Sequence, residues 1–279
     1  MVMWVMEDQQ LLSEVESCSR AEQFGDGVFE TLLVTNGVVA AMPWHAKRLE
    51  AGLKRLKINS PADNIEKMLN QYLVKMVEVS NLKNGVLKVM VSRGKSARGY
   101  GFVASLKSAV SVFYSKHNSL ENEKYIKGVS VQICETQCSI QRQLAGLKHL
   151  NRLENVLAKS ELNTNSFEGL MANELGWLIE GTMSNVFFEQ GGALYTPDLT
   201  LSGVEGVMRT LIIRYCHKNE IELNITNIKF EAVDAYSSAF ICNSVMGILA
   251  INTLKNKNMV IGQITKQLQA AVQSGEIYA

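Results

Sequence analysis

Between residues 167 and 197 the chain reads as a succession of short apolar strands broken only by turns. Strands near 221–229, 237–243 and 247–252 follow, with one helix starting near Gly206 among them and a last helix over 263–274. Strands in direct succession pair as hairpins and meanders, whereas a doubly wound parallel sheet needs a crossover helix after each strand. The pattern therefore predicts a mixed α/β chain of the α+β kind and excludes regular β-α alternation. No G-x-G-x-x-G follows a strand, so a dinucleotide-binding fold has no support either. At roughly 100–200 residues per domain, a chain of 279 residues suggests two domains or one large one.

The N-terminal half changes period along its length. Residues 1–8 and 27–42 read as strands, the second a hairpin turning at Asn36-Gly37, residue types that accept the positive φ of a tight turn. From Pro43 the apolar residues fall at helical spacing, with Leu49, Leu53 and Leu56 on one face, and proline suits a first helical turn. A second helix after Pro61 carries Ile65, Met68, Leu69, Tyr72 and Leu73 as its stripe. Residues 85–94 read as a strand ending in a Gly/Arg-rich loop, and 108–116 as another. Residues 117–126 are the most polar stretch, which places a connection there between a domain over 1–116 and one over 127–279. Beyond it, 128–135 reads as a strand, and 147–162 as a helix burying Leu150, Leu153, Val156 and Leu157.

Lysine and arginine number 28 against 27 acidic residues, and 47% of the chain is apolar, ample for a packed core. This balance argues against a nucleic-acid partner, which needs a basic face. No apolar run reaches the ~18 residues of a membrane span, and the opening MVMWVMEDQQ lacks the basic-then-apolar pattern of a secretory leader. The expectation is a cytoplasmic protein without membrane attachment. The five cysteines are odd in number and scattered; Cys134 and Cys138 lie in a strand-like run that makes a poor zinc knuckle, so no metal site is expected.

Three segments could carry chemistry. Leu147-Lys148-His149-Leu150-Asn151-Arg152 contains a lysine that is an ordinary surface cation unless burial lowers its pKa and makes it a Schiff-base former. In 177–187, Glu180 ends an apolar strand before a small-residue turn; in isolation it reads as a solvated carboxylate. Ser202-Gly203-Val204-Glu205-Gly206-Val207-Met208-Arg209 opens into a helix whose free N–H groups suit a phosphate, although glycines before a helix are common.

Taken together, Glu180-x-Thr182-x-x-Asn185-Val186-Phe187, Leu194-x-Thr196 and Val204-x-Gly206-Val207-x-Arg209 resemble the signature of the class IV (fold-type IV) pyridoxal-phosphate enzymes. Residues 24–31 (FGDGVFET), Ser92-Arg93-Gly94 with Arg98-Gly99-Tyr100, 144–154 (LAGLKHLNRLE) and Ile241-Cys242-Asn243-Ser244 are similar to the aminodeoxychorismate lyase branch, and the resemblance spans roughly residues 3–275. It implies a smaller N-terminal and a larger C-terminal α/β domain with pyridoxal 5'-phosphate between them, a homodimer, and a small-molecule substrate. The implied activity is aminodeoxychorismate lyase of folate biosynthesis, releasing 4-aminobenzoate and pyruvate. D-amino-acid and branched-chain aminotransferases of the same fold are the alternative.

The resemblance also distributes roles. Lys148 would bond to the cofactor and shuttle protons, and Glu180 would keep the pyridine nitrogen protonated, making the ring a better electron sink. Arg48 would pair with the phosphate through parallel charge-assisted bonds, joined by the backbone N–H groups of Val207 and Met208. Asn243, with Ser244, matches a polar turn on the phosphate side, and Ser184 and Asn185 lie near the ring. Arg98 and Tyr100 would face the substrate, with Arg98 on a carboxylate. Thr31 is expected on the strand lining the substrate pocket, either as proton donor to the leaving pyruvate or as a packed β-branched residue.

Overall fold

In the computed structural model, residues 4–7, 10–12, 19–96 and 99–279 are described. The chain divides into two compact units, Met1–Asn118 with Leu147–Asn151, and Ser119–Gly146 with Arg152–Ala279.

In the first unit, the described residues build a five-stranded antiparallel sheet from β1 (Trp4–Glu7), β2 (Gln10–Leu12), β3 (Gly27–Val34), β4 (Gly85–Ser92) and β5 (Ala109–Lys116). The spatial order β2-β1-β5-β4-β3 leaves β3 at the edge. A short helix α1 (Arg20–Phe24) precedes β3, and α2 (Met42–Leu56) and α3 (Ile65–Ser80) follow it. β3 and β4 alternate over most of their length: Val28, Leu32 and Val34 with Leu87, Val89 and Val91 are buried in one core with Leu49, Leu53, Ile65, Leu69 and Met76 of the helices. Each such side chain taken fully from water contributes about 1.5–3 kcal/mol, which fixes the face of the sheet that the helices cover. The opposite face carries Phe29, Thr31, Lys88 and Phe113, all half-buried.

The expected hairpin over 27–42 forms only its first strand. Asn36 (φ 52°) and Gly37 (φ 78°) turn the chain and Thr35 bridges Val38, but α2 begins at Met42. The physical reason is competition for the edges of β3. All eight of its residues pair with β4, and its other side is taken by 147–151, where Phe29 N–H donates to Lys148 O (2.9 Å) and Leu150 N–H to Gly27 O (3.0 Å).

The second unit begins with α4 (Asn122–Lys127), a helix inside the polar stretch, followed by β6 (Val129–Ile133), α5 (Leu153–Ser160), β7 (Glu168–Ala172), β8 (Leu178–Gly181), β9 (Asn185–Gln190) and β10 (Ala193–Pro197). It continues through α6 (Val207–Lys218), β11 (Leu223–Thr226), β12 (Ser238–Asn243), β13 (Gly247–Leu254), β14 (Lys257–Asn258) and α7 (Gln263–Ser274). Eight strands follow the order β11-β10-β9-β12-β13-β6-β7-β8, with β14 attached to β13. The pairs β10–β11, β13–β6 and β6–β7 are parallel, so this sheet is mixed. Phe187 and Phe240 stack inside it with ring centroids 4.9 Å apart.

The helix expected over 147–162 is a second correction. Only Leu153–Ser160 is helical; residues 147–151 are extended beside β3. Gly146, at φ 81°, breaks the chain direction just before them. The apolar stripe is also outside rather than inside: Leu153, Val156 and Leu157 are 76%, 61% and 57% exposed. Periodicity identified an amphipathic helix but not the side that it buries.

Among the described residues no helix is long and apolar enough to cross a membrane, and no group of three or more His, Cys, Asp or Glu side chains could hold a metal ion. Cys134, Cys138, Cys216 and Cys242 are buried free thiols, and burial pushes Cys134, Cys216 and Cys242 up to about 12. Such thiols remain protonated at neutral pH and are poor nucleophiles.

Candidate active site

In the first unit the chemistry gathers around β3. Lys148 is held by its own main chain against that strand, and its Nζ lies 4.4 Å from the centroid of the Phe29 ring. Lys88, in register with Thr31 on β4, places its Nζ 5.0 Å from the same ring and 5.9 Å from Phe113. Among the described residues no carboxylate pairs with Lys88, and burial pushes its pKa below the ordinary 10.5. Two amines thus flank one aromatic ring, with Thr31 on the same face as that ring.

Arg48 reaches β3 from α2. Its Nε and Nη2 donate to the two oxygens of Glu30 at 2.7 and 2.6 Å, a bidentate pair that fixes the plane of the guanidinium. His45 Nδ1 lies 2.6 Å from Glu30 Oε2 and, as the neutral ring, donates to it. Glu30 is fully buried on the core face. Burial alone would raise its pKa, but the charge and hydrogen bonds of Arg48, with the bond from His45, hold it at about 2. Burial lowers the pKa of His45, against the pull of Glu30, in keeping with the neutral ring.

Tyr100 stands on a loop at the end of β4. Its side chain is 83% exposed, and its ring centroid lies 5.1 Å from that of Phe24. Arg98 lies outside the described residues.

In the second unit Glu180 ends β8, and its Oε2 accepts from Val204 N–H at 2.8 Å. Arg152, half-buried just before α5, feels the charge of Glu180. The turn after Glu180 is organised by a buried acid, Glu168. Its carboxylate accepts from Ser184 Oγ (2.9 Å), Met183 N–H (3.2 Å) and the Thr182 hydroxyl. Asn185 Nδ2 donates to Val204 O (2.9 Å), and Asn243 Nδ2 to Met183 O (3.1 Å). The Oδ1 of Asn243 accepts from Val245 and Met246 N–H, so this side chain closes its own turn.

The loop into α6 needs its glycines. Gly203 sits at φ 85°, and a Cβ at Gly206 would lie 2.0 Å from Asn185 Oδ1. Gly206 caps α6 without a side-chain hydrogen bond, and the first turn holds no acidic residue. The amides of Val207 and Met208 open a helix with no carboxylate in its first turn, Glu205 standing just before the cap; amides at a helix start suit a phosphate.

Within the first unit, Lys148 lies beside Phe29, on whose face Thr31 also stands, while Arg48 meets Glu30 on the core face of β3. Within the second, Glu180, Ser184, Val207, Met208 and Asn243 lie on adjoining turns. Sequence reasoning assigned no part to Glu30, His45, Lys88 or Glu168. A signal existed for Glu30: it falls in phase with Val28, Leu32 and Val34, and a carboxylate on the core face of a strand needs a buried partner.

A family model described as amino-transferase class IV matches residues 27–254. The aminodeoxychorismate lyase of Vibrio harveyi is 30% identical over 258 residues, covering 90% of this chain and 92% of its own. That of Bacillus subtilis (strain 168) is 31% identical over 253 residues, covering 88% and 84%. The crystal structure of 4-amino-4-deoxychorismate lyase from Pseudomonas aeruginosa matches with a TM-score of 0.89 at 33% identity, covering 98% of each chain.

Proposed function

Because the chain belongs to the amino-transferase class IV family, we propose that it is a pyridoxal-phosphate-dependent aminodeoxychorismate lyase, converting 4-amino-4-deoxychorismate to 4-aminobenzoate and pyruvate for folate synthesis in the cytoplasm. The observation that carries this reading is the face shared by Lys148, Phe29, Thr31 and Lys88. It offers one amine for the cofactor, a second cation for an anionic substrate and a hydroxyl in the same row.

When bound, the cofactor supplies an electron sink for the carbon that carries the substrate nitrogen. Lys148 would hold it, and the Lys148 amine would take the proton from that ring carbon. Glu180, fixed by the Val204 amide, would keep the pyridine nitrogen protonated. Arg48, held in plane by Glu30, would bind the phosphate, a role that the family resemblance also gives to the amides of Val207 and Met208. Ser184 and Asn243 serve the same site by shaping its turns. Lys88, with Tyr100 and Arg98, would take the substrate carboxylates; among the described residues no carboxylate pairs with Lys88. Thr31 or Lys148 delivers a proton to the departing pyruvate, and aromatisation of the ring makes the elimination irreversible.

The deciding experiment is a lactate-dehydrogenase-coupled assay of pyruvate release from aminodeoxychorismate. Catalytic release without any 2-oxo acid co-substrate is expected. Stoichiometric conversion of the cofactor to its pyridoxamine form by an amino acid alone, with no pyruvate from aminodeoxychorismate, would replace this reading with an aminotransferase.

The proposal includes a homodimer. Three large apolar side chains on the eight-residue α5 stand in water in the single chain, a density that favours burial against a second copy. Val156→Glu with Leu157→Glu is expected to shift the light-scattering mass from twice 30.9 kDa to 30.9 kDa. An unchanged dimer would place the interface elsewhere.

A further inference from the structure

A carboxylate that bridges two buried arginines stands at the base of the loop bearing Tyr100. Asp26 Oδ2 accepts from Arg20 Nε and from Arg93 Nε, each at 2.8 Å, and its Oδ1 accepts from Arg93 Nη2 at 3.1 Å. Arg93 spends its remaining donors on the carbonyls of Leu56 and Lys57 at the end of α2, and its guanidinium lies 3.7 Å from the Phe102 ring centroid. Arg20 turns the other way. Its Nη1 donates to Ser96 Oγ (2.7 Å), Gly99 O (3.1 Å) and Gly101 O (3.4 Å), and its Nη2 to Tyr100 O (3.0 Å).

One guanidinium, 4% exposed, thus gathers the Ser96 side chain and the three consecutive carbonyls of residues 99–101. The main chain of Tyr100 is pinned while its side chain stays in solvent. Fixing a backbone while presenting a side chain is what a substrate-facing loop requires, since ordering it in advance removes that entropy cost from binding.

We propose that Arg20 is a positioning residue for substrate selection, holding the loop through Tyr100 in its binding geometry while Asp26 and Arg93 anchor it to α2. The proposal rests on the lyase reading for its substrate. Lysine keeps the charge toward Asp26 but has no planar fork to span four acceptors. Arg20→Lys and Arg20→Met are therefore expected to behave alike, whereas a purely electrostatic role would be rescued by lysine.

The test uses the holoenzyme and both variants. Amide hydrogen exchange in residues 99–102 is expected to accelerate about tenfold or more. KM for aminodeoxychorismate is expected to rise about tenfold with kcat within about threefold and the lysine-dependent visible absorbance unchanged. Exchange at the wild-type rate in both variants overturns the loop-holding role, and faster exchange with an unchanged KM overturns the role in selection. If the wild type releases no pyruvate, the lyase reading fails and takes the selection role with it, while the exchange result still decides whether Arg20 holds the loop.

Discussion

Lys148→Ala is expected to lower pyruvate release from aminodeoxychorismate by about ten-thousand-fold, the upper end of what one positioned base supplies and about 5 kcal/mol on the barrier. It is also expected to abolish the lysine-dependent visible absorbance of the cofactor. The fold should survive, because the segment is held by main-chain bonds that alanine retains: Phe29 N–H to Lys148 O and Leu150 N–H to Gly27 O. A melting temperature close to wild type would separate lost chemistry from lost structure. Stopped-flow and spectrophotometric comparison of the two proteins checks both effects. Residual turnover within tenfold of wild type would move the base and the cofactor attachment to another residue.

Glu30→Gln is expected to cost about 3 kcal/mol of stability by urea denaturation at neutral pH, the scale of breaking a buried ion pair from one side. The amide still accepts one bond but leaves the Arg48 guanidinium without its bidentate counter-charge in a buried setting. The pH dependence identifies the cause. Glu30 has a folded pKa of about 2 against an ordinary 4.5, so the folded state favours the ionised carboxylate. Its contribution is fully present above 4.5 and is lost as pH falls toward 2. The stability gap between wild type and Glu30→Gln should therefore be constant from pH 7 to about 5 and narrow below that. A gap that stays constant down to pH 3 would show that packing, rather than ionisation, sets the cost. Cofactor affinity should fall as well, since Glu30 sets the plane of Arg48.

Residues whose chemistry is local are legible in the amino-acid sequence. Asn64, whose side chain accepts from Lys67 N–H, starts the helix whose stripe of Ile65, Met68, Leu69, Tyr72 and Leu73 stands out at helical spacing. The helix start at Val207 follows from the glycines before it, and the strands over 238–243 and 247–254 from their apolar runs. Lys148, Glu180 and Arg48 are singled out by the family resemblance, which is distributed over many short motifs. Lys88 is less visible because alternation alone does not distinguish a solvated lysine from one set between two rings. Only the pairing with β3 and β5 places Phe29 and Phe113 beside it.

Short-range order in this chain is governed by turn chemistry, capping and side-chain period, all written in neighbouring residues. The remainder depends on which distant segment wins an edge or a buried charge. Residues 147–151 have the composition of a helix start, yet the open side of β3 offers main-chain partners about 120 positions away, and a strand edge left without them would carry unpaired amides and carbonyls. That competition turns Lys148 from a residue on a helix into one fixed beside Phe29. A further long-range bond, from Arg48 to Glu30, turns an arginine on an amphipathic helix into an oriented guanidinium. Both outcomes are decided by contacts between segments far apart in sequence, which no local pattern encodes.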